Sequence, residues 1–395
     1  MRTSPLSGIK VVDLTQALAG PCCSMLLADF GAEVIKIEPP AGDMLRQWGP
    51  PFIEGIGAYF LMFNRNKLSL TLNLRRPEGL EIFYRLAQRA DVVLESFRPR
   101  VKDKLKIDYQ TLAKDNPGLI YTSISGFGQS GPYADRPGFD PIAQGMSGLM
   151  SITGDKETGP IRAGVAIGDY LAGVFAALGT MAALHERERS GQGQEVDTSL
   201  LEVLVGALGF QAAKYLATGE RPLPQGNDHA MQSPYGCFKT KDGHINIAAG
   251  NQAMWERLAQ ALGLEELIPD ERFLTVPDRV KNRPALTTAI EEKLASKASA
   301  AWQDIFNQAG VASGPILHVD EVFADPQVLH QEMLKIIEHP SLGRLKTVGF
   351  SVNLSRTPAE IRTPPPLLGQ HTEEILIDLG YEAKTIAQFK KDGVV

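Results

Sequence analysis

An α/β fold on a mostly parallel sheet is predicted by three observations. Strand-like and helix-like segments alternate through the first half, the strand-like ones are short apolar runs, and a glycine-dense segment follows the last of them. Strands are expected at residues 9–14 and 33–37 around a helix at 21–30, with a further strand at 69–74. Pro77 opens a helix that runs to Arg89, and 91–95 and 119–124 read as buried strands. The loop Ser123-Ile-Ser-Gly-Phe-Gly-Gln-Ser-Gly-Pro-Tyr133 then falls at the carboxyl edge of the sheet, where such folds bind ligands. A long helix over 169–189 stops at Ser190-Gly-Gln-Gly193, and a short strand and a helix over 199–217 follow.

A chain of 395 residues exceeds one ordinary core, and the proline- and glycine-rich stretch 218–226 reads as a linker into a second, smaller α+β domain. Its expected parts are a hairpin of 235–240 and 244–249 across Lys241-Asp-Gly243, then helices near 252–262 and 282–295. Beyond residue 325 come a hairpin at Ser341-Leu-Gly343, a stiff Pro364-Pro-Pro366 and a closing helix near Thr372.

With 40 basic and 46 acidic side chains the formal charge is -6, which excludes a broad electrostatic grip on nucleic acid. Cys22, Cys23 and Cys237 offer neither metal-ligand spacing nor a disulfide framework, so a reducing cytoplasm is expected. Met1-Arg-Thr-Ser-Pro5 leads into a strand rather than an apolar signal core. Residues 164–184 are apolar enough to suggest a membrane span, but they carry Asp169 and four glycines, so a buried helix and no membrane partner are expected.

Asp169 sits in Val165-Ala-Ile-Gly-Asp-Tyr-Leu-Ala-Gly173 at the start of the long helix. Taken alone it reads as a cap, because a carboxylate there satisfies free backbone N–H groups. A carboxylate held against a thioester carbonyl can also act as a nucleophile, giving a mixed anhydride and then an enzyme thioester. Such an exchange is nearly thermoneutral and requires neither ATP nor a metal, in keeping with the lack of a G-x-x-x-x-G-K-[ST] loop and of metal-ligand spacing. Gly168 would let a thioester approach closely, and N–H groups at the helix start would face the oxyanion.

Arg98, Arg100, Lys102, Lys104 and Lys106 follow one strand, and Arg75 and Arg76 another, which offers a phosphate site at the strand ends. A solvated face is the plainer reading of such a run. Ala19-Gly-Pro-Cys22 lacks the G-x-G-x-x-G turn, so a nicotinamide site is the weaker alternative, and the scattered histidines receive no catalytic role.

Leu14-Thr-Gln-Ala-Leu-Ala-Gly-Pro21, Ala32-Glu-Val-Ile-Lys-Ile-Glu-Pro39, Asn64-Arg-Asn-Lys67, Gly126-Phe-Gly-Gln-Ser-Gly-Pro132 and Gly168-Asp169 together resemble the class III CoA transferases of the CaiB/BaiF type. The likeness continues through Phe238-Lys-Thr-Lys-Asp-Gly243 and Pro364-Pro-Pro-Leu-Leu-Gly-Gln-His-Thr372. It implies a large Rossmann-like domain over 1–225 completed by 326–395, a small domain over 226–325, and two subunits interlocked as a homodimer. It implies Asp169 as the nucleophile, with Gly168 and Asp140 as its catalytic neighbours. CoA esters are then substrates rather than permanently bound cofactors, and a carboxylic acid is the second substrate.

The same resemblance lays CoA along Leu18, Ala19 and Pro39, along Leu72, Asn73, Leu74 and Arg75, and along Ser96, Phe97 and Arg98. Lys104, Arg136 and Phe139 complete the expected contacts. Racemases of the superfamily carry a histidine where this chain has Phe139, in Gly138-Phe-Asp-Pro141, and a phenyl ring accepts no proton. Formyl-CoA transferases carry a glutamine where this chain has Leu18. The pattern is most similar to succinyl-CoA-dependent dicarboxylate transferases, with a 2-methylacyl-CoA racemase and a non-catalytic acyl-CoA binder as alternatives.

Overall fold

The structure, a computed structural model, describes residues 4–395; Met1, Arg2 and Thr3, part of the start read as lacking a signal core, lie outside the described residues. Six strands make one parallel sheet: β1 (Lys10–Asp13), β2 (Glu33–Glu38), β3 (Lys67–Thr71), β4 (Val92–Glu95), β5 (Ile120–Ser125) and β6 (Gln194–Ser199). Their order is β3-β2-β1-β4-β5-β6, with every neighbouring pair parallel. This is a doubly wound α/β sheet, and the order reverses between β1 and β4.

Consecutive apolar residues in β1 and β4 serve opposite faces of the sheet. Val11 and Leu94 point into the core beneath α1 (Ala19–Asp29), whereas Val12 and Val93 point into the opposite one with Ile82 and Phe83 of α2 (Pro77–Arg89). Both faces are covered, so the alternation of a half-exposed strand is absent. After β4 comes α3 (Pro99–Leu105), and α4 (Asp140–Met146) and α5 (Ile167–Ser190) lie between β5 and β6.

The long helix α5 is buried on one face only. Gly168, Ala172, Gly173, Ala176 and Ala177 are buried, and a side chain at Gly173 would come within 2.6 Å of the Ala19 carbonyl oxygen. The other face exposes Phe175 and Leu178 at 48% and 56%, so the helix expected to be buried is buried on one side. The helix expected over 199–217 is broken into α6 (Leu200–Ala207) and α7 (Gly209–Thr218), bent by 73° where Gly209 takes φ 50°. The strand expected at 69–74 begins two residues earlier and ends at Thr71, which leaves Leu72, Asn73 and Leu74 in the following turn.

The chain divides into two compact units. The second, Met150–Ile161 with Glu220–Pro326, carries an antiparallel sheet of β7 (Tyr235–Lys239), β8 (His244–Ala248) and β9 (Ala312–Pro315) in the order β9-β8-β7. It packs on α8 (Gln252–Leu262), α9 (Arg283–Leu294) and α10 (Ser299–Gln308) through Trp255, Ile290 and Phe306. The chain then returns to the first unit as the hairpin β10 (Leu334–His339) and β11 (Gly343–Val348), followed by α11 (Thr372–Asp378) and α12 (Ala383–Lys391).

Candidate active site

Parallel strands place their following loops on one edge, and the first unit collects most of the predicted site positions there. Leu18 and Ala19 follow β1, Pro39 follows β2, and Leu72 to Arg75 follow β3. Ser96, Phe97 and Arg98 follow β4, with Lys104 on α3; Arg136 and Phe139 lie in the loop between β5 and α4.

The loop that carries Leu18 is held from below by buried charges. Lys36 donates to the Thr15 carbonyl at 2.7 Å and pairs with Asp43 at 2.8 Å, while Lys67 contacts Asn64 at 2.8 Å and Asp13 at 3.5 Å. Burial pushes the Asp13 carboxyl up, but Lys67 and Lys36 overcome it and hold it below its ordinary value. Burial prevails at Lys67 and pushes its ammonium down to about 8. The motifs 14–21, 32–39 and 64–67 therefore converge on one ionic core beneath the site.

The turn Leu72 to Arg75 is pinned to the chain's last residues, since Asn73 N–H donates to the Val394 carbonyl at 2.8 Å. The loop after β4 is fixed by Glu95, whose Oε2 accepts the Phe97 N–H at 2.6 Å. Arg98 and Lys104 are exposed and make no ion pair among the described residues. Their neighbours in the basic run behave differently. Lys102 is buried, 3.7 Å from Glu95 and over the Tyr121 ring, so it is not a free phosphate ligand, whereas Arg100 pairs with Asp135 at 2.9 Å on the surface. Lys106 ends α3 in the left-handed region at φ 57°. Arg136 stacks on Tyr133 at 3.9 Å, and Phe139 is 59% exposed.

Asp169 lies in the first turn of α5, half-buried, two residues after Ile167 opens the helix. It does not cap the helix: the capping position is Ala166, which has no side-chain bond to offer. Asp140 at the start of α4 supplies the acceptor instead, its Oδ1 taking the Gly168 N–H at 2.8 Å. Ile167 N–H is bonded to Val165, so Asp169 N–H is left as the helix-start donor without a partner among the described residues. Gly168 is required for this arrangement. A side chain there would come within 2.9 Å of Leu204 and 3.0 Å of Asp140, so the space expected for a thioester is occupied by the protein's own groups.

Burial, and then the Asp140 charge, push the Asp169 carboxyl from 3.8 up to about 7, against the opposite pull of the helix start. The result is a carboxylate with no cation beside it among the described residues, at the ligand-binding edge of a doubly wound sheet. Asp140 is itself held by Gln144, whose amide donates to Oδ2 at 2.6 Å. Gln144 escaped the sequence reading, although its spacing four residues after Asp140 on a helix is the signal that would have found it.

The model of CoA-transferase family III matches residues 6–372. The chain is a member of that family, and it is an enzyme of the class III CoA-transferase type. It is 41% identical over 393 residues to a mouse succinyl-CoA:glutarate CoA-transferase, covering 99% of this chain and 90% of the relative. A succinate–glutarate CoA-transferase of Agrobacterium fabrum is 40% identical over 385 residues, 96% of each chain. Among solved structures, a CaiB/BaiF family protein of Brucella suis superposes with a TM-score of 0.86 at 40% identity, covering 95% of this chain and all of the other.

Proposed function

We propose that this family III enzyme moves CoA from succinyl-CoA to a second dicarboxylic acid such as glutarate, with Asp169 as the covalent nucleophile. The observation that carries the proposal is the Asp169 carboxylate itself: half-buried, uncapping, unpaired with any cation among the described residues, and pushed up to about 7 by burial and by Asp140. A more basic carboxylate is a better nucleophile, and at neutral pH a large fraction is still ionised.

In the first step an Asp169 oxygen attacks the succinyl carbonyl carbon, the C–S bond breaks, and CoA leaves as thiolate. The thiolate then attacks the aspartyl carbonyl of the mixed anhydride, releasing succinate and leaving an aspartyl-CoA thioester. An incoming carboxylate repeats the two steps in reverse and departs as the new CoA ester. The Asp169 N–H is the oxyanion donor available at the helix start.

CoA lies across the strand ends, with Arg75, Arg98, Lys104 and Arg136 toward its phosphates and Leu18, Ala19, Pro39 and Leu72 beside its apolar parts. Substrate choice follows the names of the two relatives, which pair succinyl-CoA or succinate with glutarate. Racemization has no support from Phe139, which places a phenyl ring where a base is needed. We further read the molecule as a cytoplasmic homodimer of large Rossmann-like and small α+β domains. The exposed apolar faces of α5 to α7, with Phe175, Leu178, Phe210 and Leu216, favour a covering partner, and the cysteines are free.

The test is to incubate the enzyme with succinyl-CoA, trap with hydroxylamine and search by peptide mass spectrometry for a hydroxamate on Asp169. Modification of Asp169, absent in Asp169→Ala, is expected; transfer activity with the hydroxamate on another residue would sink the assignment.

A further inference from the structure

Gln144 has no exposed surface and is bonded at both ends of its amide. Its Nε2 donates to Asp140 Oδ2 at 2.6 Å and lies 3.4 Å from the Val165 carbonyl, while its Oε1 accepts the Ala163 N–H at 2.8 Å. One side chain thus ties α4 to the segment that leads into α5. The other oxygen of Asp140 takes the Gly168 N–H, so both carboxylate oxygens are fixed and the charge is aimed at the first turn of α5. A buried amide with this many satisfied bonds is costly to replace and rigid while it stays.

We propose that Gln144 is a positioning residue for the transfer reaction: by clamping Asp140 against the start of α5, it sets the orientation and the charge environment of Asp169. The inference rests on the reading of Asp169 as nucleophile. Two titratable groups face Asp169 from the packed elements, Asp140 from α4 and the Cys22 thiol from α1. Burial pushes Cys22 up to about 12, so it stays neutral through the working range and Asp140 is the charge that faces Asp169.

Two substitutions at Gln144 act in opposite senses. Gln144→Met keeps the volume but removes the donor to Asp140. Oδ2 is then free, the carboxylate is held by the Gly168 N–H alone, and its negative charge is no longer fixed against Asp169. Gln144→Glu keeps an acceptor for Ala163 but sets a second carboxylate against Asp140, adding negative charge to the cluster.

The experiment is the exchange of labelled succinate into succinyl-CoA, which needs no knowledge of the acceptor, followed across pH for variants whose fold is checked by circular dichroism. In Gln144→Met the acid limb of kcat/KM should move to lower pH, and in Gln144→Glu to higher pH. Both should lose roughly tenfold or more in kcat, with KM for succinyl-CoA changed less than about threefold.

Folded variants whose limbs do not move, or whose kcat is intact, would overturn the proposal and leave Gln144 a packing residue. If Gln144→Met does not fold, the limb of the near-isosteric Gln144→Glu decides alone. A wild-type enzyme that binds CoA but exchanges no label would instead sink the nucleophile reading beneath it.

Discussion

Asp140 Oδ1 accepts the Gly168 N–H at 2.8 Å, one residue ahead of Asp169, so a single hydrogen bond brings two carboxylates to the same helix start. The arrangement satisfies an otherwise free donor and raises the Asp169 pKa at the same time. Asp140→Asn keeps an oxygen for Gly168 but removes the charge. The acid limb of the pH–kcat/KM profile should then fall below the wild-type value near 7, with a plateau within about tenfold of wild type. Asp140→Ala loses the anchor as well, and its plateau should fall roughly 10- to 100-fold. A limb that stays in place in Asp140→Asn would show that Asp140 does not act on Asp169 through charge.

A raised carboxyl pKa also has a cost in stability, with a definite sign. Asp169 binds its proton more tightly in the fold than in the unfolded chain, where 3.8 applies. Its proton-linked penalty is therefore absent below about pH 4, grows as pH rises from there toward 7, and is complete above it. Asp169→Asn should be inactive yet more stable than wild type at pH 8, by on the order of 1–2 kcal/mol after allowing for its partial exposure. Thermal melts at pH 4 and pH 8 check this. An advantage that does not close at the lower pH would mean that the stabilisation has another source.

Local signals explain what was legible in the sequence. Pro77 at the helix start and an apolar stripe made α2 readable to the residue, and strands covered on both faces showed as the short apolar runs of β1, β4 and β5. Lys67, by contrast, is a buried lysine that opens β3, and its partners Asp13 and Asn64 make it tolerable only in three dimensions. The break at Gly209 was hidden inside a continuous helical pattern. At the site, Asp169 stood out by its motif, but its surroundings did not. The bond between Asp140 and Gly168 joins positions 28 residues apart, and no periodicity reports a contact of that kind.

Neighbouring lysines on α3 should separate binding from folding. Lys104 is exposed and unpaired among the described residues, so Lys104→Ala should raise KM for CoA esters several-fold and leave the melting temperature unchanged. Arg98→Ala should behave alike, and both effects should fade at high salt. Lys102→Ala removes the cation beside buried Glu95 and should cost on the order of 3 kcal/mol of stability. Melts and steady-state kinetics on the three variants check the division. A stable Lys102→Ala with a raised KM would reverse the roles of the two lysines.

Asn66 binds the returning chain to the first unit. In the left-handed region at φ 62°, it donates to Asp29 and to the Glu360 carbonyl, each at 2.8 Å, and accepts from Arg362 and Thr363 at 2.6 and 3.0 Å. Arg65 adds a pair with Asp29 at 2.8 Å and a bond to the Val348 carbonyl at 2.6 Å. Asn66→Ala strands these groups and places a side chain in a backbone region that favours asparagine or glycine, a loss on the order of 2–4 kcal/mol. The segment from β11 to Thr363 should then open locally before the sheet unfolds, because its anchor to α1 has gone while the sheet's own core is intact. Limited proteolysis should cut Asn66→Ala within 349–363 under conditions where wild type is resistant. Equal resistance and an unchanged melting temperature would show that the hairpin packing alone holds this segment down.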